Sequence, residues 1–298
     1  MISADWIAVD WGTTNLRVWA MKGGSVLATA QSDQGMGSLQ KDQFEGALLA
    51  LVEPWLDGVT PVIACGMVGA RQGWVEAPYS AVPSKPITTK MTMAPCLDAR
   101  LNVHVIGGLK QNAPADVMRG EETQIAGFLA LNDGWDGVIC LPGTHTKWVH
   151  VSAGEVVSFQ TFMTGEQFNL LTGSSVLRHS VDAAGWDADA FIEAVSDTLS
   201  RPERLAAYLF NLRARDLLHG QSKDTARTRL SGLLIGAELG AARPFWLGQN
   251  IAILGADDLA KAYCDALRAQ GVHATIADAE RMTLAGLQAA YRQLKDTK

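Results

Sequence analysis

The chain has 298 residues, which is enough for two domains that each bury a core of their own. Hydrophobic residues make up 48% of the chain and charged residues 19%, a composition typical of a globular protein. The 25 basic and 31 acidic side chains give a net charge of −6. That charge argues against a nucleic-acid partner, because a surface that binds nucleic acid needs a basic face.

The start of the chain lacks the basic and then apolar pattern of a signal peptide, and no run of about 18 apolar residues marks a membrane span. The four cysteines are scattered and include no Cys-x-x-Cys pair, which is typical of a reducing compartment. We therefore expect a cytoplasmic protein without a membrane partner. Nine tryptophans are compatible with a homodimer but locate no interface.

A β-hairpin is predicted near the beginning of the chain, with the segment Asp10-Trp11-Gly12-Thr13-Thr14-Asn15 at its tip. Glycine lets the backbone approach an anion closely, and threonine hydroxyls and exposed amides can donate to phosphate oxygens. We therefore interpret this tip as a phosphate-binding turn. Asp10 beside it is a natural partner for Mg²⁺ through water molecules, or else a surface residue that caps the turn.

The next elements are a helix over 42–55, a buried strand over 61–65 and a long loop over 66–95 that is rich in glycine and proline. Long loops on a scaffold often carry binding residues. In this loop Arg71 lies between glycines, where its guanidinium can clamp a carboxylate with two hydrogen bonds or remain a solvated charge. Another strand is predicted over 103–106.

Two adjacent acids, Glu121 and Glu122, stand in a segment that is predicted to start a helix at Pro114 and to be helical from about Glu122. Both carboxylates could cap backbone amides and complement the helix dipole. Alternatively, one of them accepts the proton of an attacking hydroxyl, as phosphoryl transfer requires. Because adjacent helical positions point about 100° apart, only one of the pair should face a cleft.

A second hairpin, near the middle of the chain, repeats the pattern of the first. Its tip is Gly143-Thr144-His145-Thr146, which begins 131 residues after Gly12. The repeat suggests two similar half-domains that face one cleft, where the two turns hold a polyphosphate between them. The position that corresponds to Asp10 holds Leu141, so the acid is predicted to have a role of its own.

Four residues in or after the second turn are further candidates. Lys147 and His145 can neutralise phosphate charge, although a lone histidine more often hydrogen-bonds its own loop. Glu166 lies at a helix start and is either a ligand contact or an ordinary helix N-terminal residue. Gly255 ends a strand, where a glycine turn suits a nucleotide at the carboxyl edge of a sheet.

The remaining pattern alternates helices and strands, which together with the two hairpins predicts an α/β fold. Helices are predicted over 165–177, 188–199, 205–218, 226–242, 258–270 and 283–294, and strands over 251–255 and 272–277. The repeat places the domain boundary near 130–136. We therefore predict an N-terminal domain over 1–133 and a C-terminal domain over 134–298.

These segments resemble a known superfamily. Asp10-x-Gly12-Thr13-Thr14, Gly143-Thr144-x-Thr146-Lys147 and Leu254-Gly255-Ala256 are similar to the phosphate-1, phosphate-2 and adenosine segments of the sugar kinase, heat-shock-protein and actin superfamily. Within it, residues 5–294 resemble the 2-dehydro-3-deoxygalactonokinase family. The stretches that carry this resemblance are 9–19, 66–74, 119–124, 141–149, 162–168 and 230–240.

The resemblance implies two ribonuclease-H-like (actin-like ATPase) domains with a cleft for ATP and substrate between them. It also implies the reaction, which transfers the γ-phosphate of ATP, with Mg²⁺, to the terminal (C6) hydroxyl of 2-dehydro-3-deoxy-D-galactonate in galactonate degradation. By the resemblance, six residues would cradle the phosphates: Gly12, Thr13, Thr14, Gly143, Thr144 and Thr146. Gly255 would meet the adenosine.

The resemblance also suggests a base. Glu121 stands where many sugar kinases of the superfamily have a catalytic aspartate after glycine, so that Glu121 is the predicted base and Glu122 the second candidate. The longer side chain adds one methylene of reach. For the carboxylate of a sugar acid, the chemistry favours Arg71 as the partner and Arg17 next.

Asn15, His145 and Glu166 complete the predicted substrate contacts. Two alternatives to this kinase stay open. One is a kinase for another sugar acid or sugar, because the stereochemistry at one carbon depends on side chains that the sequence does not place. The other is an ATPase or nucleotide sensor that has the same fold and transfers nothing.

Overall fold

The computed structural model describes residues 3–88 and 90–296. Residues 1, 2, 89, 297 and 298 fall in the predicted domain ranges but lie outside the described residues. The described strands are β1 (Trp6–Trp11), β2 (Leu16–Lys22), β3 (Ser25–Ser32), β4 (Thr60–Gly66), β5 (Ser80–Ala81), β6 (Thr92–Met93), β7 (Leu101–Val105), β8 (Leu109–Asn112), β9 (Ala115–Met118), β10 (Gly137–Leu141), β11 (Thr146–Ser152), β12 (Glu155–Phe162), β13 (Ile251–Gly255) and β14 (Ala274–Asp278). The described α-helices are α1 (Phe44–Val52), α2 (Glu121–Leu131), α3 (Thr164–Gly173), α4 (Ala188–Ser200), α5 (Leu205–His219), α6 (Lys223–Ala241), α7 (Arg243–Trp246), α8 (Asp257–Arg268) and α9 (Ala279–Asp296).

Two sheets share one strand order, apart from the additional antiparallel edge strand β6 in the first. The six-stranded sheet has the order β3-β2-β1-β4-β7-β6, in which β1 is antiparallel to β2 and parallel to β4. The five-stranded sheet has the order β12-β11-β10-β13-β14, and its last three strands are parallel. In each, a three-stranded meander lies beside two further parallel strands. This is the ribonuclease-H-like arrangement, and the predicted α/β fold is confirmed.

Strand β1 is apolar on both faces because both faces are covered. Ile7 and Val9 belong to a buried core that includes helix α1. Trp6 belongs to a core on the opposite face and stacks on Tyr291 of α9, with ring centroids 4.4 Å apart. A central strand of this kind gives a nearly continuous hydrophobic run rather than an alternating one. Asp10 interrupts that run and is the residue in β1 that is only half-buried.

The chain divides into two compact units. The first comprises the described residues of Met1–Trp135, Val151–Ser158 and Ala279–Lys298, and the second comprises Asp136–His150 and Phe159–Asp278. The division near residue 135 lies close to the predicted boundary. The C-terminal helix α9, however, belongs to the first unit, whereas the sequence assigned it to the second.

Helix α9 joins the first unit because it packs backbone to backbone on α2. Gly127 of α2 lies against the carbonyl of Met282, and Gly286 of α9 lies against the carbonyl of Thr123. A Cβ at either glycine would collide with the opposite carbonyl oxygen. The two glycines therefore set how closely the helices approach.

Candidate active site

The first predicted turn connects β1 to β2 and is closed by its own backbone. The amide of Gly12 donates to the carbonyl of Asn15 over 2.9 Å. On the outer side, Gly35 lies so close to the backbone of Thr13 and Thr14 that a Cβ there would collide with it. The side chains of both threonines and of Asn15 are exposed. The turn is thus supported from behind and open in front, as an anion-binding turn must be.

Asp10 and Arg17 face each other across the β1–β2 pair. Arg17 Nη2 donates to Asp10 Oδ2 over 2.5 Å, and Arg17 Nη1 lies 3.8 Å from Glu280 Oε2 of α9. The other oxygen of Asp10, Oδ1, lies 3.9 Å from Cys65 Sγ. Burial raises the pKa of the Cys65 thiol, and the charges of Asp10 and Glu122 raise it further, so that the thiol is protonated. The thiol therefore adds no negative charge beside the ion pair of Asp10 and Arg17.

A cavity of about 630 Å³ lies beside this turn within the first unit. The predicted residues that line it are Asp10, Gly12, Thr14, Asn15 and Arg17. Gln31, Ser32 and Asp33, at the end of β3 and just beyond it, complete the lining, and sequence reasoning missed them. The β1–β3 meander therefore brings a carboxylate, a guanidinium and an exposed turn to one open space.

Two glycines bring the start of α2 close to the end of β1. Gly66 has φ 90°, and a Cβ on it would lie 2.6 Å from the carbonyl oxygen of Trp11 and 3.6 Å from Asp10 Oδ1. Gly120 has φ 106°, and a Cβ on it would lie 3.4 Å from the Cα of Gly66. Residues with a side chain rarely adopt such backbone angles. The pair of glycines therefore places Glu121, the first residue of α2, in the neighbourhood of Asp10.

Glu121 and Glu122 differ sharply in exposure. Glu122 is fully buried, and its carboxylate accepts hydrogen bonds from the amide of Gly120 over 2.6 Å and from the hydroxyl of Thr123 over 3.1 Å. Burial raises the pKa of Glu122 to about 8, and the charge of Glu121 adds to the rise. Glu121 is half-buried and accepts from the amide of Arg119 over 3.1 Å. Of the two acids, Glu121 is the one that solvent reaches.

The two arginines of this region also differ. Arg71 is 81% exposed in its side chain and lies 3.5 Å from Glu76 Oε1. Arg119 lies over the ring of Tyr79 at 4.3 Å and donates from Nη2 to the carbonyl of Ala77 over 2.8 Å. Its Nε and Nη1 are buried and have no hydrogen-bond partner among the described residues. Sequence reasoning chose Arg71 for its glycine-rich loop and assigned no role to Arg119.

The second predicted turn connects β10 to β11. Thr144 and His145 are exposed, and His145 Nε2 lies 2.5 Å from Glu166 Oε2. The amide of Glu166 donates to the carbonyl of Thr144 over 2.9 Å. Lys147 is buried, and its Nζ donates to the carbonyl of His145 over 3.2 Å. The structure therefore brings His145, Glu166 and Lys147 together at this turn. The sequence had suggested this place for His145 and Lys147.

Thr146 differs from the threonines of the first turn, because its side chain points into the second unit. It is fully buried, and its hydroxyl lies 3.1 Å from the hydroxyl of Tyr263 on α8. Tyr263 also donates to Glu238 of α6 over 2.8 Å. Burial raises the pKa of Glu238 to about 7, although three donors to its carboxylate oppose the rise.

Comparison with known proteins decides the family. The family model described as 2-keto-3-deoxy-galactonokinase matches residues 10–290. The chain belongs to the 2-keto-3-deoxy-galactonokinase family. A protein of Rhizobium meliloti (strain 1021), named a probable 2-dehydro-3-deoxygalactonokinase, is 39% identical over 96% of both chains. The 2-dehydro-3-deoxygalactonokinase of Escherichia coli (strain K12) is 33% identical over 96% of this chain and 97% of its own.

One solved structure agrees with this family assignment, and a second shares the fold. The crystal structure of a candidate 2-dehydro-3-deoxygalactonokinase from Sinorhizobium meliloti has a TM-score of 0.89 and 39% identity, and covers 96% of this chain and 98% of its own. Component A of the (R)-2-hydroxyglutaryl-CoA dehydratase of Acidaminococcus fermentans has a TM-score of 0.50 at 12% identity, which is a likeness of fold alone. The resemblance seen in the sequence is confirmed, and the protein is a kinase of carbohydrate metabolism.

Membership of the 2-keto-3-deoxy-galactonokinase family implies use of ATP, and the second unit has a cavity of suitable size. It has a volume of about 460 Å³ and is lined in part by Gly143 and Thr144 of the turn. Its other walls include Phe168, Trp186, Arg227, Ser231, Leu234 and Tyr263. Sequence reasoning missed these residues. Three of them, Arg227, Ser231 and Leu234, recur at helical spacing on α6, a pattern that is equally typical of ordinary packing.

The predicted adenosine residue Gly255 is buried at the end of β13. A Cβ on it would lie 3.4 Å from Pro142 and 3.5 Å from Ala260. Pro142 immediately precedes the second turn, and Ala260 lies in the first turns of α8. Gly255 thus keeps the start of α8, which contributes Asp258 to the cavity wall, close to the second turn.

The donor set near the first turn fits Mg²⁺ bound by one carboxylate. Among residues 3–88 and 90–296, His, Cys, Asp and Glu side chains form no group of three or more that would hold a metal ion by themselves. Mg²⁺ usually keeps several waters and takes one or two carboxylates plus substrate phosphates. Asp10, at the edge of the phosphate turn, matches that preference.

No helix in the described part of the chain is long and apolar enough to cross a membrane.

Proposed function

We propose that the protein transfers the γ-phosphate of ATP to the C6 hydroxyl of 2-dehydro-3-deoxy-D-galactonate, as a step of galactonate catabolism. The observation that carries this proposal is the pair of glycine–threonine turns at the same place in two sheets of the same strand order. The family match over residues 10–290 supplies the substrate class. The proposed small-molecule substrates of the protein are ATP and the sugar acid.

Each of the two turns is proposed to bind phosphate oxygens of ATP. Gly12, Thr13 and Thr14 offer an open turn in the first unit, and Gly143 and Thr144 offer another in the second. Backbone amides in such turns bind phosphate oxygens without carrying a charge themselves. Thr146 contributes by holding its turn in place, since its hydroxyl is engaged with Tyr263. Lys147 adds positive charge directly after the turn.

Asp10 is the proposed holder of Mg²⁺, which when bound would neutralise charge on the phosphates during transfer. The carboxylate already faces Arg17 at 2.5 Å, so that Arg17 orients Asp10 and adds a second positive charge beside the turn. Gly255 and the cavity beside the second turn are proposed to accommodate the adenosine.

Glu121 is the proposed general base. As the C6 oxygen forms its bond to the γ-phosphorus, the bond from that phosphorus to the bridging oxygen breaks and ADP leaves. The C6 hydroxyl proton passes to the Glu121 carboxylate. Phosphoryl transfer depends mainly on positioning and electrostatics, so a single correctly placed acceptor is sufficient. Burial of Glu122 favours Glu121 over its neighbour for this role.

The carboxylate of the sugar acid is proposed to bind Arg71, whose side chain is 81% exposed. Arg119 is the second candidate, because two of its guanidinium nitrogens are without a partner among the described residues. Asn15, Arg17, His145 and Glu166 stay predicted contacts of the substrate, and Arg17 also stays a candidate for its carboxylate. A cytoplasmic location and a homodimer also stay predictions, and size-exclusion chromatography with light scattering tests the latter.

The test is coupled ADP release with MgATP and a panel of sugar acids. The panel contains 2-dehydro-3-deoxy-D-galactonate, its gluconate epimer and plain galactonate. Turnover with the first compound alone supports both the kinase and its stereochemical preference. Turnover with another member of the panel contradicts the substrate, and ADP release that is independent of every sugar acid favours the ATPase.

A further inference from the structure

A single buried carboxylate in the second unit gathers hydrogen bonds from three separate elements. Glu238 of α6 is 4% exposed. Its Oε1 accepts from the indole Nε1 of Trp148 on β11 over 2.7 Å. Its Oε2 accepts from Tyr263 of α8 over 2.8 Å and from the hydroxyl of Thr164, the first residue of α3. Nothing in the proposed phosphoryl transfer uses this carboxylate.

Each of these donors leads to the second turn. Trp148 is two residues after Thr146 on the strand that leaves the turn. The hydroxyl of Tyr263 lies between Glu238 and the hydroxyl of Thr146, at 2.8 Å and 3.1 Å. Because Tyr263 has one hydroxyl proton and donates it to Glu238, its oxygen accepts the hydrogen bond from Thr146. The hydroxyl of Thr146 is therefore held inward by a chain that ends at Glu238.

The third donor fixes the opposite side of the turn. Thr164 precedes Gly165, whose Cα lies so close to Gly143 that a Cβ there would collide with the Gly143 carbonyl. The next amide, that of Glu166, donates to the carbonyl of Thr144 over 2.9 Å. The start of α3 thus covers the back of the turn, and the bond from Thr164 to Glu238 holds it there.

We propose that Glu238 is a positioning residue for the nucleotide. It fixes the turn 143–146 from both sides, through Tyr263 and Thr164, and so holds the backbone amides that receive the phosphates of ATP. This inference rests on the proposed function. It predicts that the affinity for ATP depends on a carboxylate that does not itself line the nucleotide cavity.

The replacement Glu238→Gln separates positioning from packing, since glutamine has the same shape. Its amide nitrogen donates where Glu238 Oε2 accepts. The hydroxyls of Thr164 and Tyr263 must therefore rotate and accept hydrogen bonds instead of donating them. Tyr263→Phe removes only the hydroxyl that bridges Glu238 and Thr146, and keeps the ring that lines the cavity. Tyr291→Phe is the matched control, because Tyr291 is also a buried tyrosine and stacks on Trp6 in the first unit.

The experiment measures calorimetric binding of a non-hydrolysable ATP analogue with Mg²⁺, and KM for ATP and for the sugar acid. We expect Glu238→Gln and Tyr263→Phe to weaken binding of the analogue and to raise KM for ATP by about tenfold, the effect of one lost hydrogen bond to a charged group. KM for the sugar acid should stay within about twofold, and Tyr291→Phe should match the wild type. The double variant should lose less than the product of the two single losses, since both act through one chain.

Unchanged analogue binding in folded Tyr263→Phe would overturn the inference, and so would an equal rise of KM for ATP and for the sugar acid. If circular dichroism shows that Glu238→Gln is unfolded, Tyr263→Phe alone tests the inference. Binding of the analogue needs no sugar acid. If the wild type binds the analogue but phosphorylates none of the sugar acids, the proposed function fails while this inference is still decided by the variants.

Discussion

The two glycine–threonine turns have similar sequences and different surroundings. At the first turn, threonine side chains are exposed and the nearby acid, Asp10, forms an ion pair with Arg17 at the surface of the first unit. At the second turn, Leu141 takes the place of the acid, and the side chain of Thr146 is fully buried. The acid on that side is Glu238, which lies inside the domain and behind the turn.

This difference suggests how a repeated fold divides the work of one reaction. In the proposed function, the backbone of each turn binds phosphate. The first unit is then proposed to supply the exposed charged groups for chemistry and metal binding, and the second unit a buried hydrogen-bond network that fixes the position of its turn. Four predictions test this division, from the largest expected effect to the smallest.

The largest effect should come from the base in the first unit. Glu121→Gln removes the acceptor for the C6 proton, and we expect kcat to fall by about 10²- to 10⁴-fold while KM for ATP is nearly unchanged. Steady-state kinetics with coupled ADP detection measures both. Glu122→Gln is the matched control, since Glu122 is buried and bonded to Gly120, and its kcat should fall far less. A larger loss in Glu122→Gln than in Glu121→Gln would exchange the two roles.

The next effect concerns the assignment of α9 to the first unit. Gly127→Ala inserts a Cβ against the carbonyl of Met282, and we expect a loss of about 1–3 kcal/mol in the free energy of unfolding. Urea unfolding measures it. The control is Gly46→Ala in α1, where a Cβ meets open space and a gain of up to about 1 kcal/mol is expected from helix propensity. Equal effects of the two substitutions would contradict the close contact of α2 with α9.

A smaller effect is expected at the substrate. Arg71→Ala should raise KM for the sugar acid by about tenfold and leave KM for ATP unchanged, as the loss of one charge-assisted contact predicts. Arg100→Ala is the control, because Arg100 forms its ion pairs with Glu53 and Asp98 instead. If KM for the sugar acid does not change in Arg71→Ala, the carboxylate binds elsewhere, and Arg119 becomes the first candidate.

The last effect is a pH dependence of stability, with a slope of at most about 1.4 kcal/mol per pH unit for one proton. Burial, reinforced by the charge of Glu121, raises the pKa of Glu122 from an ordinary value of 4.5 to about 8. The folded protein therefore holds this proton more tightly than the unfolded chain does. The stabilisation is complete below pH 4.5 and is lost as the pH rises through about 8. We expect the free energy of unfolding to fall over this range, and to fall less in Glu122→Gln.

Urea unfolding at a series of pH values between about 5 and about 8.5 measures this slope, within the range in which Glu122 loses its proton. Glu76→Gln serves as the control, because its side chain is 57% exposed and should leave the slope unchanged. Parallel curves for the wild type and Glu122→Gln would contradict the raised pKa.

Local sequence patterns predicted much of the fold and part of the candidate site. Both hairpins, the buried strand at Ile251–Gly255 and most helices follow from turn chemistry and periodicity, which act over a few residues. Pro114 did not start a helix: it precedes strand β9, whose partner β8 lies in the same short hairpin. A proline and an acid suit both a helix start and a turn, so the local pattern left that choice open.

The buried network and the place of α9 were not predictable in this way. Trp148 and Glu238 are 90 residues apart, and Thr146 and Tyr263 are 117 apart. A single Glu in the apolar second half of α6 gives no local indication of its partners. In the same way, α9 has the pattern of any amphipathic helix, and its contact with α2 depends on two glycines that only the fold brings together.

The central claim is transfer of phosphate to a primary hydroxyl of the sugar acid. The most direct measurement is a ³¹P NMR time course with the protein, MgATP and 2-dehydro-3-deoxy-D-galactonate. We expect ADP and a phosphomonoester in equal amounts, and the phosphomonoester signal should be a triplet, because a phosphate on C6 couples to two protons. Inorganic phosphate in place of the ester, or an ester signal split by a single proton, would contradict the account.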